Sequence, residues 1–299
     1  MRFSFLFLLT LHFTFAGAQP KISFTFDDGS TADRAGYLLE EWNTMILDKL
    51  DAAEVKAIFF VLGKGKTDSK GKYLLKSWDE RGHKIANHTL NHPNFNSEAI
   101  SLENFRDELI ANDSLIDSYS NYLRMFRFPY LKEGNTPEKV DGFREFLRKQ
   151  QYRNGYVTID ASDWYIDSRL RKRLRENPDA SLEGFMEYYL DHLYDRAMYY
   201  EQLSYQLTGR HIKHTLLLHH NLLAALFLDK VVERFQEKGW EVISAHEAYT
   251  DPVFRKTPLH AGESLIWALA KDSGQFEDAL RYPAEDSRYE KDKMDKLGL

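Results

Sequence analysis

Lys21-Ile22-Ser23-Phe24-Thr25-Phe26-Asp27-Asp28-Gly29 is the stretch whose reading decides the fold: an apolar, aromatic run that stops on two carboxylates and a glycine. Ile22 to Phe26 reads as a strand. Consecutive strand side chains point to opposite faces, so Asp27 and Asp28 share one site only if the chain leaves strand geometry there, which Gly29 permits. Taken alone, Asp-Asp-Gly is also an ordinary loop opening.

Outward from this stretch the chain repeats one rhythm, in which short apolar runs alternate with longer helical patterns. Further strands are expected at Ala57-Leu62, Lys84-Ala86, Met125-Arg127, Tyr156-Ile159, Thr215-His219 and Glu241-Ser244. Helical patterns lie near Arg34-Leu50, Tyr73-Arg81, Leu102-Ser118, Glu138-Lys149, Leu182-Leu207 and Leu222-Lys238, and Gly82 and Gly239 suit C-terminal caps. This alternation predicts an irregular (β/α) barrel of about seven parallel strands, in which chemistry belongs at the strand ends.

Two stretches fall outside the rhythm. Arg169 to Arg175 holds five basic residues in seven and reads as a solvated helix face, with contact to an anionic polymer as the alternative. After Tyr249 the pattern turns polar and irregular, so residues 251–299 are expected to form a polar extension, loosely packed or disordered and without a catalytic role.

The 299 residues, 43% of them hydrophobic, suffice for one large domain and not for two. A formal charge of −6 with interspersed signs gives no field for nucleic acid. Met1 and Arg2, the apolar run Phe3 to Phe15 and the small residues Ala16-Gly17-Ala18 read as a secretory signal over residues 1–18, cleaved after Ala18. That run is shorter than the ~20 residues a bilayer span needs, so no transmembrane segment is expected after its removal. The core domain is expected over 19–250. With no cysteine anywhere, disulfides and thiol chemistry are excluded. Nothing in the sequence sets the oligomeric state.

A second constellation follows another strand: Asn87-His88-Thr89-Leu90-Asn91-His92-Pro93. His88 and His92, four apart, are expected on one side of a helical turn that Pro93 ends, and together they can grip a metal ion. A lone histidine pair is more often structural, but a strand-end carboxylate nearby suits a three-ligand catalytic site.

With these two motifs and three more, the chain resembles the polysaccharide deacetylase family, whose catalytic unit is the NodB homology domain, also known as carbohydrate esterase family 4. The resemblance runs from Lys21 to Tyr249, and five motifs occur in the family's order. Thr25-Phe26-Asp27-Asp28-Gly29 implies Asp27 as general base and Asp28 as metal ligand, and His88-Thr89-Leu90-Asn91-His92 implies His88 and His92 as the other two ligands. Arg127-Phe128-Pro129-Tyr130 implies an arginine that holds the catalytic aspartate and a Tyr130 backbone N–H that faces the oxyanion.

Asp160-Ala161-Ser162-Asp163-Trp164 implies that Trp164 lines the acetyl pocket and that Asp163 orients the catalytic histidine. Leu216-Leu217-Leu218-His219 implies His219 as general acid. Here the chain departs from the family, which often has Asp after that histidine; His220 and Asn221 stand instead. Adjacent strand histidines cannot both face the site, so His220 competes with His219. His83, His211 and His214 are expected to be structural or surface residues.

The resemblance implies a divalent metal, zinc first and cobalt or nickel as substitutes, and an acetylated carbohydrate as the substrate partner. N-acetyl chains such as chitin-like polymers or peptidoglycan come before O-acetyl xylan. A metal-containing carbohydrate-binding module of the same fold, catalytically silent, is the competing expectation. Asn87-His88-Thr89 is formally a glycosylation sequon, and a glycan there would crowd His88, which suits a bacterial periplasm or medium.

Overall fold

A computed structural model describes residues 19–281 and 287–299. Among them, seven strands build one parallel sheet: β1 (Lys21–Asp28), β2 (Ile58–Val61), β3 (Lys84–Asn87), β4 (Tyr122–Phe126), β5 (Arg153–Asn154), β6 (Lys213–His219) and β7 (Glu241–Val242). Their order is β5-β4-β3-β2-β1-β6, with β7 pairing the start of β1 at Lys21 and Ile22. The helices are α1 (Leu39–Ala52), α2 (Ser69–Glu80), α3 (Leu102–Ile116), α4 (Pro137–Lys149), α5 (Asp163–Glu176), α6 (Glu183–Thr208), α7 (Leu222–Glu237), the short α8 (Ala245–Ala248), α9 (Leu265–Ser273) and α10 (Arg288–Leu297). This is the irregular (β/α) barrel that the alternation predicts.

Both faces of β1 are buried, as a central parallel strand requires. Phe26 turns outward and packs edge-on against Trp78 of α2, with ring centroids 5.3 Å apart. Thr25 points the other way, into the barrel, where its hydroxyl donates to Leu216 O at 3.1 Å. The parallel register sets Asp27 beside His219 on one side and Phe60 on the other, so the chemistry gathers at one end of the sheet.

The strand expected at Tyr156-Ile159 is corrected by the structure. The ladder lies at Arg153–Asn154, and only Ile159 bridges onward to Leu216 of β6. Gly155 explains the break: a Cβ there would sit 2.4 Å from the Phe60 ring, so the backbone crosses that ring where only glycine fits. The Gly155 N–H donates to Phe126 O at 2.7 Å, so the segment touches β4 first and β6 afterwards, drawing the two sheet edges together.

The polar tail is also corrected: it packs. Leu265 and Ile266 of α9 are fully buried where α9 lies on α6, and Met294 of α10 is buried as well. Composition hid this because α10 carries only one apolar core residue among many charges. Arg169 of the basic run pairs with Asp295 at 2.8 Å, and Arg171 with Asp167 at 2.6 Å, so part of that run is consumed by structure. Further in, His192 Nε2 accepts the Ser162 N–H at 3.1 Å, while its Nδ1 faces Glu290 Oε1 at 3.7 Å. The expected signal, residues 1–18, lies outside the described residues, and among those described no helix is long and apolar enough to cross a membrane.

Candidate active site

The departure from strand geometry begins at Asp28 itself, whose φ is 75°, and continues at Gly29 with φ 87°. The left-handed step turns Asp28 toward the side Asp27 already faces. Gly29 is needed for space as well, since a Cβ there would lie 2.7 Å from Phe59.

Asp27 is 2% exposed and held by Arg127, whose Nη1 donates to Oδ1 at 2.5 Å. Arg127 has every arm occupied: Nε donates to Gly155 O at 2.9 Å, Nη1 also to Thr25 Oγ1 at 2.9 Å, and Nη2 to Tyr249 Oη at 3.0 Å. Its guanidinium carbon stacks 3.8 Å from the Phe60 ring centroid. The fork is therefore fixed, and Asp27 keeps its Oδ2 for other work. Burial raises the Asp27 carboxyl above its ordinary value, against the pull of Arg127 and His219.

Asp28, His88 and His92 come together, with one ligand atom from each lying within 4.8 Å of the others. Asp28 Oδ1 lies 3.7 Å from His88 Nε2 and 3.5 Å from His92 Nε2. The expected helical turn is absent, because Thr89 and His92 both take left-handed conformations at φ 69° and 59°. Thr89 Oγ1 accepts the His92 N–H at 3.0 Å, and this tighter turn sets the two imidazoles 5.0 Å apart.

The trio fits a divalent metal. Asp28 Oδ1 is buried with no hydrogen-bond partner among the described residues, a costly state that a cation relieves. His88 donates from Nδ1 to Arg127 O at 2.8 Å, which fixes the tautomer and leaves the Nε2 lone pair free. Burial lowers both histidines to about 4, so they are neutral at pH 7, as ligands must be. Two imidazoles and a carboxylate suit zinc, and accept cobalt or nickel.

The opposite wall carries His219. Its Nδ1–H donates to Asp163 Oδ1 at 2.6 Å, and Asp163 Oδ2 accepts the His219 backbone N–H at 2.8 Å and the Asn221 amide at 2.9 Å. Burial alone would lower the imidazole, but the Asp163 charge and hydrogen bond, helped by Asp28 and Asp27, push it up to about 10. His220 faces away, as strand alternation demands. Its ring lies 4.2 Å from that of Trp42, and its Nε2 meets Asn43 Oδ1 at 3.0 Å.

These groups border a cavity of about 400 Å³ lined also by Trp164, Leu217, Asp160 and Tyr130. Tyr130 takes φ 56° and rests its ring 4.5 Å from that of His92. Asp28, His92 and Tyr130 thus all take left-handed conformations around one space, where strain of this kind concentrates at working sites. The structure brings all nine residues singled out from sequence to this cavity or, for Arg127 and Asp163, into direct contact with a residue that lines it.

Residues 16–146 match the family model described as polysaccharide deacetylase. Over that stretch the chain is similar to the polysaccharide deacetylases. A peptidoglycan-N-acetylglucosamine deacetylase of Bacillus cereus is 28% identical over 155 residues, which cover 51% of this chain and 50% of that protein. The chain thus spans about half the length of that relative. The crystal structure of the Bc1960 peptidoglycan N-acetylglucosamine deacetylase shares the fold at a TM-score of 0.53 and 21% identity, over 78% of this chain and 89% of that one. So does a family pseudoenzyme from Bacillus anthracis, at a TM-score of 0.50 and 21% identity, over 77% and 66% of the two chains.

Sequence reasoning missed Tyr249 and Gly155, which hold Arg127 from behind. Tyr249 Oη donates to Tyr156 O at 2.9 Å while accepting from Arg127, so it ties the arginine to the segment that joins the sheet edges. No local pattern marks either residue, because each acts only through a contact across the barrel.

Proposed function

We propose that this chain is a metal-dependent carbohydrate deacetylase that hydrolyses N-acetyl groups from a polysaccharide or oligosaccharide. One observation carries the reading: Asp27, locked by Arg127, and His219, locked by Asp163, line the same cavity as the Asp28-His88-His92 trio. The curated relative named for peptidoglycan favours an amide over an ester as the scissile bond.

Asp28, His88 and His92 would hold the ion, zinc first, which supplies Lewis acidity to water and to the acetyl carbonyl. Asp27 takes a proton from the attacking water at Oδ2, since Oδ1 is occupied by Arg127. The Tyr130 backbone N–H serves the oxyanion, a donor of the kind worth about 3 kcal/mol elsewhere. As the carbon–nitrogen bond breaks, His219 gives a proton from Nε2 to the leaving nitrogen, releasing acetate and a free amine. Trp164 forms the apolar wall against the methyl group.

Residues 1–18 act as the export signal in this reading, which makes the protein a secreted or periplasmic bacterial enzyme. The test is acetate release by zinc-supplied protein from N-acetylglucosamine oligomers, peptidoglycan and acetylated xylan, with Asp27→Asn as control. Release that the substitution abolishes supports the assignment. Silence on all three substrates, with metal measured in the protein, leaves the silent binding module in its place.

A further inference from the structure

Beside the catalytic cavity, and sharing Asp28, Trp164 and His219 with it, lies a second cavity of about 500 Å³. Three separate elements bring cations to it. The loop after β1 contributes Arg34, the loop after β2 contributes Lys64 and Lys66, and α5 contributes Arg171. Two carboxylates border the same space, and both are engaged. Asp28 belongs to the metal trio, and Asp167 has Oδ2 on Arg171 at 2.6 Å and Oδ1 on the Leu223 N–H at 3.1 Å.

Arg34, Lys64 and Lys66 form no ion pair among the described residues. Lys66 is the most telling, being 4% exposed with one hydrogen bond for its ammonium among the described residues, Nζ to Lys64 O at 3.2 Å. Asp28 and Asp68 lie near enough to attract it but neither is in ion-pair contact, and an ammonium with three donors is costly to bury so sparsely engaged unless a ligand takes the rest. Arg34 spends one Nη2 donor on Ser30 Oγ at 2.5 Å, and the repulsion it feels from Arg171 and Arg175 is offset in part by Asp167, which Arg171 already engages. Like charges gathered from three elements around one open space make a seat for an anion.

We infer that this second cavity receives an anionic substituent, a carboxylate or phosphate, carried on the acetylated sugar or its neighbour. The inference rests on the deacetylase reading for the glycan's position. The substrate is then an acidic glycan, and Arg34, Lys64 and Lys66 are specificity residues outside the reaction itself. Because the two cavities share Trp164 and His219, the anion lies close beside the acetyl group, and its attraction weakens with salt.

Binding and turnover are measured separately. On the Asp27→Asn protein, the Kd is read for three tetrasaccharides of equal length: neutral N-acetylglucosamine tetramer, the same backbone alternating with N-acetylmuramic acid, and a 6-phosphorylated tetramer. An acidic tetramer is expected to bind about 10-fold or more tightly than the neutral one at low salt. That gap closes in Arg34→Gln and in the exposed Lys64→Gln, while neutral binding stays unchanged and so reports intact folding. Whichever acidic tetramer binds tighter names the source of the anion. Equal Kd values for all three, or a gap that both substitutions leave in place, overturn the inference. Acetate release from the neutral tetramer by the unsubstituted, zinc-supplied protein is scored apart, so failure of the deacetylase reading is seen without disturbing the binding result.

Discussion

Asp163 grips His219 twice, through the ring Nδ1 at 2.6 Å and through the backbone N–H at 2.8 Å. One carboxylate therefore fixes the tautomer, the ring plane and the strand end together, and leaves Nε2 alone to face the cavity. Asp163→Asn keeps much of the shape and removes the charge. A fall in kcat of about 10²- to 10⁴-fold is expected, the usual range for a lost general acid.

The same pair sets a pH signature. In the proposed scheme His219 works protonated, and its imidazole is held up at about 10. Activity is therefore lost as pH rises through that raised value. Removing the Asp163 charge lowers the imidazole, so the alkaline limb of the kcat profile moves to lower pH in Asp163→Asn. A limb that stays in place would assign the proton donor elsewhere.

The proposed metal and base roles are separable in two neighbours. Asp28→Ala loses an unpartnered buried oxygen of the trio, so bound zinc and activity should fall together. Asp27→Asn keeps the trio and should retain metal while turnover drops. Elemental analysis beside acetate release checks both, and chelation of the unsubstituted protein should abolish activity that added zinc or cobalt restores. Equal metal content in both variants would refute the division.

Arg127 is 1% exposed and is the charge that compensates buried Asp27. Arg127→Met strands that carboxylate and should cost about 3–5 kcal/mol of stability. Adding Asp27→Asn removes the stranded charge, so the double variant is expected to be more stable than Arg127→Met alone. Chemical denaturation of the three proteins measures the difference.

His83 supplies an acid-stability prediction away from the site. Its Nδ1 accepts the Ala57 N–H at 3.1 Å, and burial lowers it from 6.5 to about 4. Between those values the unfolded chain binds the proton and the folded chain does not, so stability falls as pH drops below 6.5. The share at pH 5 is about 1–2 kcal/mol. His83→Asn can still accept from Ala57 and should flatten the slope between pH 7 and 5; an unchanged slope would show that His83 takes up its proton alike in both states.

Much of this was legible because the site sits at strand ends and strands announce themselves. The run from Ile22 to Phe26 fixed where Asp27 must point, and alternation along β6 left His219 and His220 on opposite sides. The turn from His88 to His92 was misread, because four-residue spacing suits a helix as well as a pair of left-handed residues. Tyr249 and Gly155 escaped for another reason: each matters through Arg127, more than a hundred and nearly thirty positions away, respectively. The strand misplaced at Tyr156 shows the same limit, since Gly155 breaks it only because Phe60 lies underneath.

The bond from the Ser162 amide to His192 has a practical side. Ser162 immediately precedes Asp163, the carboxylate bonded to His219, and His192 lies 3.7 Å from Glu290 of the final helix. Trimming the charged end of this protein to tidy an expression clone would take Glu290 away and uncover that imidazole. Shortened proteins should then purify as folded material that works sluggishly, a defect easily blamed on the wrong substrate.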